Sequence, residues 1–302
     1  AGHPERGGDQ VGDLLLLSRC LSGGGMLHES LALLDRGLEL LPAGDLGDEG
    51  NLLRMQLTTD RFPLLSDLGN DRATARAAGE AAESADHRGD RRTALYCRTT
   101  RAAALLDDGA FPLASETLAG IRDAGRGAAD PVNFPHENYL LCVEECRLAA
   151  ALTDSWFTDE WPRHRDGLAE AWESYRVAAE VAGSADAVGS AEADAVRGVL
   201  RINRSLVRAG RVDEAIDLIS WATGITRGGA PRPRLEVLTE QALLLHVAGR
   251  DDAALLIFES VVPPARRAGR GDGGTAVAAA RFAGDPAVRD RYAGFVTAVR
   301  GS

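Results

Sequence analysis

The sequence of 302 residues predicts an all-α fold: a right-handed superhelix of about six stacked helical hairpins, closed by a C-terminal helix. A pattern of glycine, small and aliphatic residues recurs along the chain. Hydrophobic residues make up 45% of the sequence and aromatic residues only 5%, and the apolar residues are mainly alanine and leucine, which favour helix over sheet. Because one hairpin cannot bury its apolar face alone, such hairpins stack into a solenoid.

The recurring pattern begins with a glycine, which is followed five positions later by a small residue, then by a bulky or aliphatic residue and by another small one. Glycine suits the left-handed backbone that ends a helix, and small residues on the next helix let the two helices approach closely. The pairs of glycine and small residue are Gly25 and Ser30, Gly69 and Thr74, Gly109 and Ala114, Gly210 and Ala215, and Gly249 and Ala254. Ala171, Tyr175 and Ala178 repeat the pattern without the glycine.

The predicted helices follow from this pattern in chain order. The hairpins are expected at 9–21 and 27–41, 49–68 and 71–85, 91–108 and 112–124, 137–152 and 164–182, 191–209 and 212–226, and 234–248 and 251–262. Pro63 lies within the third helix and predicts a kink or an early end there, because proline cannot donate a backbone hydrogen bond. We expect one domain over 1–302, with repeats over 9–269 and a flexible loop and capping helix over 270–302.

The repeat resembles the tetratricopeptide repeat, most closely over 22–42 and 209–219. In that family a small residue lies seven positions before the glycine, and Ser18, Ala102 and Ala242 match it. The larger Phe62 and Asn203 depart from it. The units here are about 40 residues long, against roughly 34 in the family. In this respect the chain is similar to the helical sensor regions of large actinobacterial regulators and signalling ATPases.

Composition limits the partners and the location of the protein. The net charge of −11 and the pI near 5.1 argue against direct nucleic-acid binding, which needs a positive field. All 34 basic residues are arginine, as is typical of a GC-rich genome. The sequence has no run of about 18 apolar residues and no signal-peptide core, so we expect no membrane partner and a cytoplasmic location.

No catalytic, metal or cofactor signature is found in the sequence. The absence of lysine excludes a Walker A phosphate loop and a lysine Schiff base. His28 and His136, each followed by glutamate, supply only half of a metalloprotease motif. Cys142 and Cys146 share a helix face, as a redox or metal pair or, as we favour, as two small core residues. We therefore expect no catalytic residues, no cofactor and no metal site.

The resemblance implies that the first helix of each hairpin lines a concave groove. Counting from the glycines by the family's pattern places Arg197, Arg204 and Arg208 in this groove, together with Tyr96 and His246. Arginine binds carboxylates with a forked geometry, so the three arginines predict a carboxylate-bearing peptide or protein segment as the partner. The alternative is a solvated face, or a set of bridges to the 45 acidic residues.

A second candidate site lies in the irregular fourth connection, 153–163. Its aromatic residues are Trp156, Phe157 and Trp161. Exposed aromatic side chains on a loop can anchor a partner, or these residues fold back and fill a gap between neighbouring repeats.

Three functions are consistent with the sequence. The leading hypothesis is a non-enzymatic scaffold that binds a peptide or protein segment in its groove. The first alternative is the sensor region of a transcriptional regulator or signalling ATPase, which the unit length and the missing initial methionine favour. The second is a helical biosynthetic enzyme whose site is assembled across several helices.

Overall fold

Regular structure in the computed structural model is helical throughout the residues that it describes, which are 5–41, 47–124, 133–153, 159–183, 185–226, 231–250, 252–254 and 256–257. The helices are α1 (Glu5–Gly23), α2 (Leu27–Leu40), α3 (Gly47–Asp67), α4 (Asp71–His87), α5 (Arg91–Asp107), α6 (Phe111–Ala124), α7 (Pro135–Leu152), α8 (Trp161–Val181), α9 (Ala185–Arg208), α10 (Val212–Ile225) and α11 (Pro231–Val247). The predicted all-α fold is confirmed. The expected capping helix lies outside the described residues.

Within the described residues, successive helices pack against each other from α1 to α6 and again from α8 to α11, and α1 with α3 and α9 with α11 also meet as alternate neighbours. This is the packing of a helical repeat, in which each hairpin contacts the adjacent one. Contacts divide the chain into two compact units, Ala1–Leu148 and Ala149–Ser302. The expectation of a single domain stays a prediction.

The glycines of the repeat end helices as predicted. Gly25, Gly69, Gly109, Gly210 and Gly249 have positive φ angles between 71° and 79°. At the turn after α3, the backbone N–H of Asn70 donates to Leu65 O at 2.9 Å, and that of Gly69 donates to Ser66 O at 2.9 Å, which is the Schellman arrangement. The Asn70 side chain then accepts from Ala73 N at 3.2 Å and caps α4.

The small residues of the repeat are buried in the protein interior. The residue five positions after each glycine is between 0% and 3% exposed, and so is Ala171, the equivalent residue without a glycine. Ser30 also bonds to Ser18, the small residue of the preceding helix, with 2.8 Å between their hydroxyl oxygens. The burial of these small positions agrees with the repeat register predicted from the sequence.

Phe62 departs from the small-residue pattern because its partner helix is made of alanines. Its side chain is 1% exposed and packs in a cluster with Ala77, Ala78, Ala81 and Ala82 of α4. At the α3–α4 interface the large side chain is therefore on α3 and the small ones are on α4, and together they keep the core filled. Pro63 lies inside α3, which continues to Asp67, so the helix does not end early at the proline.

Candidate functional site

The helix α9 has two faces of opposite chemistry. Along one face its side chains are buried against α8, α10 and α11. These residues are Ala191, Ala195, Val199, Ile202 and Leu206. They recur every three or four residues, so the opposite face of the helix is turned towards solvent.

Four arginines occupy that opposite face and are here called the arginine row: Arg197, Arg201, Arg204 and Arg208. They are spaced by four, three and four residues, so they line one side of the helix over about 16 Å. Arg197, Arg204 and Arg208 are exposed and Arg201 is half-buried; that these side chains line a groove stays a prediction. The family's pattern of groove positions does not include Arg201. Its helical spacing alone would have placed it beside the other three arginines.

The arginine row is a local positive region in an acidic protein. Between 195 and 211 the sequence contains five arginines and no aspartate or glutamate. Asp194, one turn before the row, forms an ion pair with Arg197. Glu240 of α11 acts electrostatically on Arg204. Acidic groups thus act on two members of the row, Arg197 and Arg204, while the helix segment itself contributes only positive side chains.

Beneath the row, α9 and α11 are joined by a buried polar pair. Asn203 Nδ2 donates to Glu240 Oε1 at 2.9 Å, and both residues are buried. Asn203 is larger than the repeat pattern requires because it reaches this carboxylate on the next hairpin. Burial raises the pKa of Glu240 above its ordinary value, against the opposing effects of Arg204 and Asn203.

The other predicted groove residues lie on different helices. His246 is half-buried in the last turn of α11, the neighbour of α9. Tyr96 is half-buried on α5 in the first unit, with its ring centroid 5.9 Å from that of Phe62 and 6.4 Å from that of His136. Tyr96 therefore lies between rings of α3 and α7, in a different unit from the arginine row.

Trp161 is packed inside the second unit rather than exposed on a loop. It is the first residue of α8 and is 5% exposed. Its ring meets that of Trp221 on α10 edge-on, with 5.5 Å between the centroids. For this residue the structure shows the folded-back alternative. Trp156 and Phe157 lie outside the described residues.

A buried ion-pair cluster joins α5 and α7 in the first unit. Arg147 Nη1 donates to Glu144 Oε2 at 2.6 Å and Nη2 donates to Asp107 Oδ1 at 2.6 Å. The side chain of Arg147 is 3% exposed and that of Glu144 is completely buried. Since Arg147 pairs with a carboxylate on each of the two helices, the cluster forms a structural connection between them.

Glu137 forms a second connection between the same helices. Its carboxylate, 4% exposed, accepts a hydrogen bond from Arg92 Nε at 2.8 Å. Burial raises its pKa, but bonds from His136 and Arg92 outweigh burial and lower the pKa to about 2 from the ordinary value of 4.5. The folded state therefore binds this proton less readily than the unfolded state does.

This difference predicts an acid-dependent loss of stability. Glu137 contributes stability that is fully present above about pH 4.5 and is lost as the pH falls towards about 2, on the order of 3 kcal/mol in all. We expect Glu137→Gln to be less stable than the wild type at neutral pH, and the difference to shrink across that window. Urea unfolding of both proteins over the acidic range measures it. A difference that does not change with pH would contradict the assignment.

The described residues contain no group of three or more His, Cys, Asp and Glu side chains that could hold a metal ion. Within the same ranges, no helix is long and apolar enough to cross a membrane. Cys146 is buried on α7 and Cys142 half-buried. Burial raises the pKa of the Cys146 thiol well above its usual range, so this sulfur is a poor nucleophile.

Comparison with known proteins adds little to this geometry. No family model matches the chain, and no curated protein matches it. A solved structure described as a circular tandem repeat protein with novel repeat topology and enhanced subunit contact surfaces aligns over 96% of this chain and 88% of its own, with 13% identity and a TM-score of 0.31. At that score the likeness supports no argument about function.

Proposed function

We propose that the protein is a non-enzymatic interaction module of the tetratricopeptide type, whose arginine row binds an acidic segment of a partner protein. The observation that carries the proposal is the row itself, since one solvent-facing side of α9 has arginine at four successive turn positions. The glycine turns and buried small residues of the repeat support the resemblance to the tetratricopeptide family.

The chemistry of arginine favours a carboxylate ligand. The guanidinium group is planar and remains charged, and it can donate two parallel hydrogen bonds to one carboxylate. A partner helix with acidic residues spaced by four, three and four positions would repeat with the same period as the row. Such a partner would compete with Asp194 for Arg197.

Binding at an exposed face should depend strongly on salt. A single exposed ion pair contributes about 0.2–1 kcal/mol, so several adjacent pairs are needed for a measurable affinity. Salt at about 0.15 M screens charges beyond roughly 8 Å. Attraction between the row and an acidic segment should therefore appear mainly in the association rate and weaken as salt is added.

The test uses the full chain and a helical peptide probe with glutamates spaced by four, three and four residues. We expect the Arg197→Ala, Arg204→Ala, Arg208→Ala triple variant to bind this probe at least roughly tenfold more weakly at low salt, from three lost exposed pairs. The fold should be unaffected, since exposed substitutions usually change stability by about 0.5 kcal/mol or less. Isothermal titration calorimetry and a melting curve measure the two quantities.

A matched control variant also loses three exposed arginines, but from positions outside the arginine row. Arg36, Arg72 and Arg250 have exposed side chains on other elements, and their triple alanine variant should bind like the wild type. A second control peptide has the same composition with the glutamates scrambled around the helix, and it should bind more weakly. Equal affinity of the wild type and the arginine-row variant at low salt would show that the ligand lies elsewhere.

A further inference from the structure

The buried pair beneath the arginine row is only half bonded. Asn203 is completely buried and Glu240 is 9% exposed. One hydrogen bond joins them, from Asn203 Nδ2 to Glu240 Oε1, while Asn203 Oδ1 is buried without a hydrogen-bond partner. Leaving a buried acceptor without a hydrogen bond destabilises the folded state, because the acceptor has lost its bonds to water and gained none in the protein.

Protonation would complete the pair. A carboxamide presents a donor and an acceptor side by side, whereas an ionised carboxylate presents acceptors only. The ionised carboxylate of Glu240 can therefore accept a hydrogen bond from Asn203 Nδ2 but cannot donate one to Asn203 Oδ1. A protonated carboxyl group presents one donor and one acceptor, so it can bond to both atoms of the amide in a closed ring of two hydrogen bonds.

We propose that Glu240 is a proton-operated regulator of the arginine row: on taking a proton from solvent, its hydroxyl donates to Asn203 Oδ1, and the negative charge that acts on Arg204 is removed. The row then carries more net positive charge and holds an acidic segment more tightly. This inference rests on the proposed function, because it concerns the affinity of that same site. The direction of the shift in the pKa of Glu240, upwards through burial, supports it.

Two groups of α9 act on Glu240 directly. From α9, Arg204 acts on Glu240 electrostatically and Asn203 through the hydrogen bond. From α10, Ser220 and Thr223 bond to the neighbouring Gln241, and these groups do not titrate. On α11 itself, the half-buried Glu236 lies one turn earlier. Among these groups Glu240 is the carboxyl that is both buried and bonded to α9.

The substitution Glu240→Gln imitates the protonated state. Its amide can donate to Asn203 Oδ1 and accept from Nδ2 at every pH. A carboxyl whose pKa is raised on folding makes the folded state bind more protons, so the wild type should become more stable as the pH falls from neutrality towards about 4.5. We expect Glu240→Gln to melt roughly 2–4 °C higher than the wild type at neutral pH, and this advantage to disappear on acidification.

The matched control is Glu236→Gln, which removes the same charge from the same helix one turn away. We expect the melting temperature of Glu236→Gln to rise on acidification as that of the wild type does, because Glu240 can still take up a proton in this variant. If Glu240→Gln and the wild type show the same dependence of melting temperature on pH, the Asn203–Glu240 pair does not titrate in this range and the inference is overturned.

Binding tests the regulation itself. The probe is the helical peptide with cysteic acid in place of glutamate, so that its charge is constant across the titration. We expect the wild type to bind it roughly threefold to tenfold more tightly near pH 4.5, the ordinary glutamate value above which this pKa is raised, than near pH 7.5, through the loss of one charge close to Arg204. Glu240→Gln should bind at the tighter level throughout.

The outcomes separate this inference from the proposed function. Binding that depends on the arginine row but changes equally with pH in the wild type and Glu240→Gln overturns the regulation and leaves the proposed function standing. A wild type that does not bind the probe at any pH overturns both. In that case the melting curves still show whether the buried pair takes up a proton.

Discussion

Replacing Arg147 with methionine is expected to lower the free energy of unfolding by about 3–5 kcal/mol, because it removes one partner of a buried ion pair. Glu144 would keep its charge with its side chain completely buried. Asp107, 32% exposed, is more easily hydrated and should matter less. Urea denaturation of the wild type and the variant measures this loss.

Two further variants isolate the cause. Arg122 pairs with Glu145, the residue next to Glu144 on α7, but its side chain is 64% exposed, so Arg122→Met should cost about 1 kcal/mol or less. The double variant Arg147→Met, Glu144→Gln removes the stranded charge and should regain part of the loss. A loss for Arg147→Met no larger than that for Arg122→Met would show that the cluster is not buried as described.

Replacing Ala215 with tryptophan is expected to destabilise the second unit strongly. Ala215 is completely buried at the start of α10, in a position that the repeat pattern keeps small. A large ring there must displace packed neighbours, which costs about 1–3 kcal/mol or more. The unfolding free energy of the variant, compared with the wild type in urea, measures this cost.

A tryptophan in an exposed helical position provides the control. Ala119 lies on the exposed side of α6, so Ala119→Trp should change the unfolding free energy by only about 0.5 kcal/mol. If Ala215→Trp melts at the same temperature as Ala119→Trp, the repeat register is wrong and the close approach of the helices lies elsewhere.

The repeat positions could be predicted from the sequence because each depends on local chemistry. A glycine that must adopt a positive φ, such as Gly69, and a residue that must be small for helices to meet, such as Ala215, both leave a mark at fixed spacing. The first residues of the helices were predicted less accurately. The helix α8 begins at Trp161 rather than His164, and α11 at Pro231 rather than Arg234; both have proline in the first turn, a signal that favours helix initiation.

The departures from the pattern needed tertiary information. Asn203 is explained by Glu240, which lies 37 residues later, and Phe62 by the alanine face of α4. Trp161 has a partner in Trp221 on α10, which no local signal reveals. At the candidate site, the exposed arginines followed from spacing, whereas the buried carboxylate beneath them did not, because a glutamate within a helix gives no sign of its burial.

A charge exchange between protein and peptide tests the central claim most directly, that the arginine row is the binding surface. The variant has glutamate at positions 197, 204 and 208, and the second probe carries arginine in place of each glutamate. We expect the wild type to bind only the acidic probe and the variant only the basic one, both more weakly as salt is added. If the variant still binds the acidic probe as tightly as the wild type does, the arginine row is not the site.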